Sequence, residues 1–208
     1  MFDYIRDPNE IYRLSFETVR KEVNLSALPA GVDVLVERLI HACGMPDVIE
    51  DFAFGGNPAL AGRDALRTGA DVIMDSEMVR AGIIKSRLPY QNRLICTTHS
   101  AAALNVAREH KTTKSAAGVD QWLPYLSGAV IVIGNAPTAL FRLLELLAQG
   151  VAPPALILGF PVGFIGAVES KEALVANAGG IPYATLCGRR GGSAMASAAL
   201  NAISGLSK

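Results

Sequence analysis

Apolar residues in the leading part of the chain recur every three to four positions, the spacing of one helix face. Asp7-Pro8-Asn9-Glu10 resembles a capping box with proline in the first turn, so a helix is expected over 11–23. Pro29 opens a second helix. Its stripe of Val32, Leu35, Val36, Leu39, Ile40 and Cys43 runs to Gly44, a good C-terminal cap. Phe54-Gly55-Gly56-Asn57-Pro58 reads as a loop, followed by a short helix over 59–67. From Gly69 the pattern changes. Five runs, 70–75, 93–98, 129–134, 155–160 and 182–187, are continuously apolar or β-branched rather than alternating, as in strands covered on both faces. Helical patterns separate them at 76–81, 101–110, 115–122, 137–149 and 170–178, and a last one occupies 193–203.

Strand and helix in alternation imply an α/β fold. The expectation is a three-layer α/β/α sandwich on a five-stranded parallel sheet. The order is the flavodoxin-like 2-1-3-4-5, and two helices lead. No linker, internal repeat or low-complexity stretch interrupts the pattern, so 1–208 reads as one domain. In such sheets ligands bind beyond the carboxyl ends of the strands, near the switch in strand order. Those ends are Asp75-Ser76-Glu77-Met78, Thr97-Thr98-His99-Ser100, Gly134-Asn135-Ala136-Pro137-Thr138, Gly159-Phe160-Pro161-Val162-Gly163 and Gly188-Arg189-Arg190-Gly191-Gly192-Ser193.

Composition narrows the partners. Of 208 residues half are apolar and 18% charged, with 19 positive against 19 negative, which excludes a disordered chain. Without a basic block no nucleic-acid surface is expected, and any anion site must be local. No apolar run spans a membrane, and the residues from Met1 to Arg6 lack the regions of a signal peptide. Cys43, Cys96 and Cys187 are far apart and odd in number, pointing to reduced thiols in a cytoplasmic protein.

The candidate chemistry starts at His41. It falls off the apolar stripe, on the face carrying Val34, Glu37 and Arg38. In the last turn the helix dipole favours imidazolium; Glu37 pushes the same way and Arg38 against it. His41 is therefore a candidate proton donor, with a plain surface histidine as the alternative. The helix beginning at Pro137 should offer first-turn amides to an anion, with Asn135 as cap, or be no more than well capped. In 188–193 two arginines, two glycines and a serine suit a carboxylate or phosphate, although a solvated arginine pair has the same composition. Ser15 lies partly inside an apolar stripe and on its own reads as bonding back to a carbonyl four residues earlier. Lys114-Ser115 reads as a solvated lysine beside a cap. His99 and His110 have no fixed partners, and the three histidines lack metal spacing, so no metal is expected. Neither a P-loop, a dinucleotide fingerprint nor a nucleophile elbow occurs.

Together these pieces resemble the precorrin-8X methylmutase family of cobalamin biosynthesis. The matching text is Ile11-Tyr12-Arg13-Leu14-Ser15-Phe16, Arg38-Leu39-Ile40-His41-Ala42-Cys43-Gly44, Asp75-Ser76-Glu77-Met78-Val79-Arg80-Ala81-Gly82-Ile83 and Arg87-Leu88-Pro89. It continues in Gly134-Asn135-Ala136-Pro137-Thr138-Ala139-Leu140, Pro161-Val162-Gly163-Phe164 with Glu169-Ser170-Lys171, and 188–193. The resemblance implies an isomerase that moves a methyl group from carbon 11 to carbon 12 of a corrinoid ring, yielding hydrogenobyrinic acid. On cobalt-precorrin-8 the same shift would yield cobyrinic acid.

The resemblance further implies no redox cofactor or methyl donor, a parallel α/β sandwich and a homodimer. His41 would be the catalytic acid and Ser15 an active-site serine. The poly-carboxylate tetrapyrrole would be held by Ser15, Arg38, Lys114, Ser115, Asn135, Thr138, Arg189, Arg190, Gly191, Gly192 and Ser193. Two departures stand out. Lys114 replaces a usual arginine and loses its bidentate fork, and Thr98-His99-Ser100 replaces an expected acidic residue near a proline. A phosphoacceptor receiver is disfavoured because Asn135 stands where it needs an aspartate. A corrinoid carrier without catalysis is the remaining alternative.

Overall fold

Five of the strands form where the unbroken apolar runs lie. In the computed structural model, which describes residues 2–206, they are β2 (Val72–Met74), β3 (Leu94–Cys96), β4 (Val130–Ile133), β5 (Leu156–Gly159) and β6 (Tyr183–Leu186). Met1, Ser207 and Lys208, which the 1–208 reading includes, lie outside the described residues. The five pair in parallel in the order β3-β2-β4-β5-β6, which is 2-1-3-4-5 when only they are counted.

A sixth strand corrects the expectation of five. β1 (Phe52–Gly55) pairs antiparallel with β6 at the sheet edge, Phe52 opposite Leu186 and Gly55 opposite Tyr183. Its four residues are only half-buried and end in glycine, so neither hydrophobicity nor length marks a strand. Gly55 makes room for the opposite side chain, since a Cβ there would lie 2.3 Å from the Tyr183 ring and force that ring to shift.

Nine helices fill the connections among the described residues: α1 (Pro8–Glu22), α2 (Val32–Cys43), α3 (Pro58–Arg67), α4 (Glu77–Gly82), α5 (Ala101–Glu109), α6 (Lys114–Asp120), α7 (Pro137–Ala148), α8 (Ala167–Asn177) and α9 (Ser193–Ser204). Alternate strand residues divide between two cores. Val72, Met74, Val130, Val132, Leu156 and Leu158 join Leu35, Leu39 and Ile40 of α2 and Met195, Ala199 and Leu200 of α9. Ile73, Ile131, Ile133 and Ile157 face Trp122, Leu140 and Leu143 of α7 and Leu174 of α8. Helices thus cover both faces, giving the expected sandwich. No helix among the described residues is long and apolar enough to cross a membrane.

One packing relation sets the position of the site. Val34 and Arg38 of α2 border the same groove as Asn201, Ser204 and Gly205 at the end of α9, and Gly31 meets Leu206. The two helices therefore run antiparallel, and the last turn of α2 lies where α9 begins. Because α9 follows the carboxyl end of β6, His41 stands at the strand-tip end of the molecule.

Candidate functional site

The closest meeting of predicted residues is between the two leading helices. Ser15, on the face of α1 turned to α2, places its hydroxyl 2.9 Å from His41 Nδ1. With the ring neutral and Nε2 protonated, Ser15 donates to Nδ1; in imidazolium, Nδ1–H donates to Ser15. Either way Nδ1 is occupied, and Nε2 has no hydrogen-bond partner among the described residues on this exposed side chain. The back-bond to a carbonyl expected of an isolated Ser15 gives way to this cross-helix bond.

Aromatic rings complete the setting. His41 stacks on Phe16 with centroids 4.9 Å apart and planes 17° apart, and Tyr12 tilts against it at 5.7 Å. The Arg38 guanidinium lies over the same two rings, 5.2 Å from Tyr12 and 5.0 Å from Phe16, a cation–π arrangement. These surroundings correct the imidazolium expectation. Burial pushes the His41 pKa below its usual value, Arg38 pushes it further down, and Glu37 opposes them. Glu37 is itself buried and paired with Arg20, its Oε1 2.5 Å from Arg20 Nε. The sequence reading quoted Tyr12 and Phe16 within a motif but gave their rings no part in the site. The signal was available: Tyr12, Ser15 and Phe16 share a face at i, i+3 and i+4.

At the switch point a buried carboxylate takes the place of an external anion. Asp75 Oδ1 accepts from the Gly134 amide at 2.9 Å, while its Oδ2 accepts from Asn135 at 2.9 Å and Ala136 at 2.7 Å. Burial raises the Asp75 pKa and the three amides pull it back. The amides that Asp75 fills are those of the 134–136 loop, just ahead of the first turn of α7. The cap residue is Ala136, without a side-chain bond. Asn135 is exposed above this loop, and Thr138 shares a 2.7 Å hydroxyl contact with Thr113, which caps α6. Lys114, exposed, and Ser115, half-buried, begin α6 beside this link.

The loop after β6 is divided in its roles. Arg190 turns onto its own chain: Nη1 donates to Asp47 Oδ2 at 2.6 Å, Nη2 to Asp51 Oδ2 at 2.6 Å and Nε to Asp51 Oδ2 at 3.1 Å. Arg189 is exposed, its guanidinium 5.4 Å from the Phe164 ring centroid. Gly191 passes so close to the preceding loop that a Cβ would stand 2.4 Å from the Phe160 carbonyl oxygen. Gly192 donates its amide to that oxygen at 2.8 Å. Ser193, buried, contacts the Ser76 hydroxyl at 3.3 Å, joining the tips of β6 and β2. Asp47 and Asp51 were not singled out in the sequence, since nothing local distinguishes them from surface acids.

The departure at 97–100 has a structural explanation. Thr97 donates to the Gly118 carbonyl at 2.8 Å and accepts from Trp122 Nε1 at 2.9 Å. Thr98 donates to the Asp75 carbonyl at 2.7 Å, and Ser100 caps α5 through the Ala103 amide. His99 is left exposed. No group of three metal-ligating side chains clusters among the described residues. A groove of about 970 Å³ between α7 and α8 lies at the opposite, amino ends of the strands, near Pro153, Pro154 and Pro182. It is lined mainly by apolar groups, with Glu145 and Asn177 among them, and stands apart from this chemistry.

Known proteins resemble the chain over nearly its whole length. The sequence model described as Precorrin-8X methylmutase matches residues 10–206. A protein of that name from Pseudomonas aeruginosa is 54% identical over 203 residues, covering 98% of both chains. A cobalt-precorrin-8 methylmutase from Priestia megaterium is 33% identical over 95% of this chain and 87% of its own. The crystal structure of the Thermus thermophilus precorrin-8x methyl mutase superposes with a TM-score of 0.85 at 33% identity, covering 94% of each chain.

Proposed function

The chain belongs to the precorrin-8X methylmutase family, and we propose that it isomerises precorrin-8X by moving the methyl group on carbon 11 to carbon 12, giving hydrogenobyrinic acid in cobalamin biosynthesis. One carbon–carbon bond breaks, its neighbour forms, and no atom is gained or lost, so neither a methyl donor nor an oxidant is required. The observation that carries this reading is the Ser15–His41 pair, which engages Nδ1 and leaves Nε2 without a described partner on an exposed residue at the strand-tip end.

His41 acts as the acid. A proton or strong hydrogen bond to a ring nitrogen draws electron density from the acceptor carbon and lowers the barrier to migration. A positioned acid typically contributes roughly 10²–10⁴ in rate. The depressed pKa makes imidazolium a stronger acid than free histidine, although a smaller fraction is protonated at neutral pH. The carboxylate arms of an approaching substrate favour the protonated form again, so binding charges the acid where it is used.

Ser15 orients the ring. The acetate and propionate arms are received by Arg189, Lys114, Arg38 and the polar tips at Ser115, Asn135, Thr138 and Gly191 to Ser193, with Arg190 holding its loop in place. Metal-free precorrin-8X is favoured over cobalt-precorrin-8 because the relative named for the metal-free substrate is the more similar, 54% against 33% identical. We place the enzyme in the cytoplasm, where its three free cysteines stay reduced, as one domain working in a homodimer.

The test is to incubate pure protein with metal-free and with cobalt-loaded substrate and follow the visible spectrum, which changes as conjugation rearranges. Conversion of the metal-free compound, and its loss in His41→Ala with binding retained, is expected. Conversion of the cobalt compound alone reverses the substrate assignment. Binding without conversion of either identifies a carrier.

A further inference from the structure

Lys171 is fully buried, an unusual place for an ammonium group, in the second turn of α8. It is not at the surface where substrate arrives. Its Nζ donates to the Arg190 carbonyl at 2.7 Å, the peptide at the centre of the 188–193 loop. The guanidinium of that residue is held from the other side by Asp47 and Asp51. The next two residues are fixed as well, Gly191 by close approach to Phe160 and Gly192 by its amide bond to the same carbonyl. Gly163 adds a bond from its amide to the Arg189 carbonyl at 3.3 Å.

We propose that Lys171 is a positioning residue for substrate binding: its buried ammonium holds the Arg190 peptide so that Arg189 and the Gly191–Gly192 backbone face the carboxylate arms of the corrinoid. This rests on the isomerase reading above and adds a residue that never touches substrate. The physical reason lies in the acceptor. A carbonyl turned inward needs a donor, and a charge-assisted bond is about twice as strong as a neutral one. A shorter or apolar side chain at 171 would leave that carbonyl unpaired and free to rotate, and Arg189 with it.

Titration makes the contact observable. Burial lowers the Lys171 pKa to about 8, while the Cys187 thiol and the Asp51 carboxylate pull it up. The other groups facing this corner are Glu172 on the same helix and the Arg190 guanidinium, itself bound to Asp47 and Asp51. Cys187 is pushed above its ordinary value by burial and so titrates at higher pH. Lysine donates from either protonation state, but the neutral amine donates more weakly. Loop order, and with it affinity, therefore declines as pH rises through about 8.

The probe is hydrogenobyrinic acid, titrated into the full-length protein and followed by its visible band, alongside steady-state turnover. In wild type, affinity should weaken as pH rises through about 8, a limb that is missing in Lys171→Met. At pH 7 that variant should bind the product about tenfold more weakly and show a raised KM with kcat largely kept, the loss expected for one charged hydrogen bond. Lys171→Arg, which keeps a charge that does not titrate, should restore part of the affinity with a flat profile. Equal affinity in wild type and Lys171→Met, a kcat loss at unchanged KM, or no limb near pH 8 in wild type overturns the proposal. The wild-type profile decides the matter even where Lys171→Met does not fold. Failure of the isomerase reading looks different: neither protein would convert the substrate at any pH, whatever its affinity for the corrinoid.

Discussion

The imidazole of His41 lies nearly flat against the ring of Phe16, with centroids 4.9 Å apart. Phe16 also carries the Arg38 guanidinium, 5.0 Å from its centroid. One aromatic ring therefore brings the candidate acid together with the cation that weakens its hold on a proton.

That relation sets a pH dependence. His41 titrates below the 6.5 of the free side chain, by burial first and Arg38 second. If imidazolium is the active form, kcat/KM falls as pH rises past that lowered pKa. Arg38→Leu removes the repulsion, so the limb should move to higher pH even if KM rises through lost packing or substrate contact. A pH–rate profile of the two proteins checks this. A limb that stays in place, or moves down, separates Arg38 from the acid.

Asp75 joins three backbone amides that no other described side chain supplies with an acceptor. In Asp75→Asn the side chain keeps one acceptor oxygen and turns a donor towards the rest. The expected cost is about 1–3 kcal/mol, from buried donors left unmet. Urea denaturation should show a lower midpoint with an unchanged slope. A variant as stable as wild type would mean that the 134–136 loop finds other acceptors.

Arg190 gives a test that separates holding a loop from holding a substrate. Its pairs with Asp47 and Asp51 are about one-third exposed on the arginine side, so the pairing itself stabilises the fold by less than about 1 kcal/mol. As an anchor, Arg190→Ala and the double change Asp47→Asn with Asp51→Asn should raise KM to similar extents, and combining them should add little. As a direct ligand, freeing Arg190 from its aspartates would instead leave KM unchanged or lower it. Steady-state kinetics on the three variants distinguishes these outcomes.

Legibility followed the range of the interactions. Strands β2 to β6 were visible because burial on both faces leaves a continuous apolar run, and His41 was visible because it breaks a regular stripe. β1 was not, since Phe52–Gly55 is a half-buried edge whose pairing with β6 is decided about 130 residues away in sequence. A similar distance in sequence hid the Arg190 clamp, while the inward turn of Lys171 depends on a carbonyl 19 residues on that no local pattern marks. The Asp75 carboxylate was quoted as part of a motif, but the amides that donate to it lie some 60 residues on, so their pairing was not visible. The dipole argument for His41 used only its own helix, and the rings that reverse the shift come from α1.

Gly191 offers the sharpest steric test of the tip after β6. A Cβ added there would lie 2.4 Å from the Phe160 oxygen and 2.5 Å from the Pro161 oxygen, both backbone atoms that cannot swing away as a side chain would. Gly191→Ala must therefore push the 188–193 loop off the end of β5, and the Gly192 amide loses its 2.8 Å bond to Phe160. The Ser15–His41 pair sits on other helices and should remain intact. Substrate affinity should consequently fall by roughly tenfold or more, as expected for losing a positioned charged contact, while the pH limb assigned to His41 stays where it is. Titration of both proteins with the corrinoid, together with the kcat/KM profile, checks the pair of outcomes. A shifted limb would tie the loop to the acid, and unchanged affinity would remove 188–193 from the binding surface.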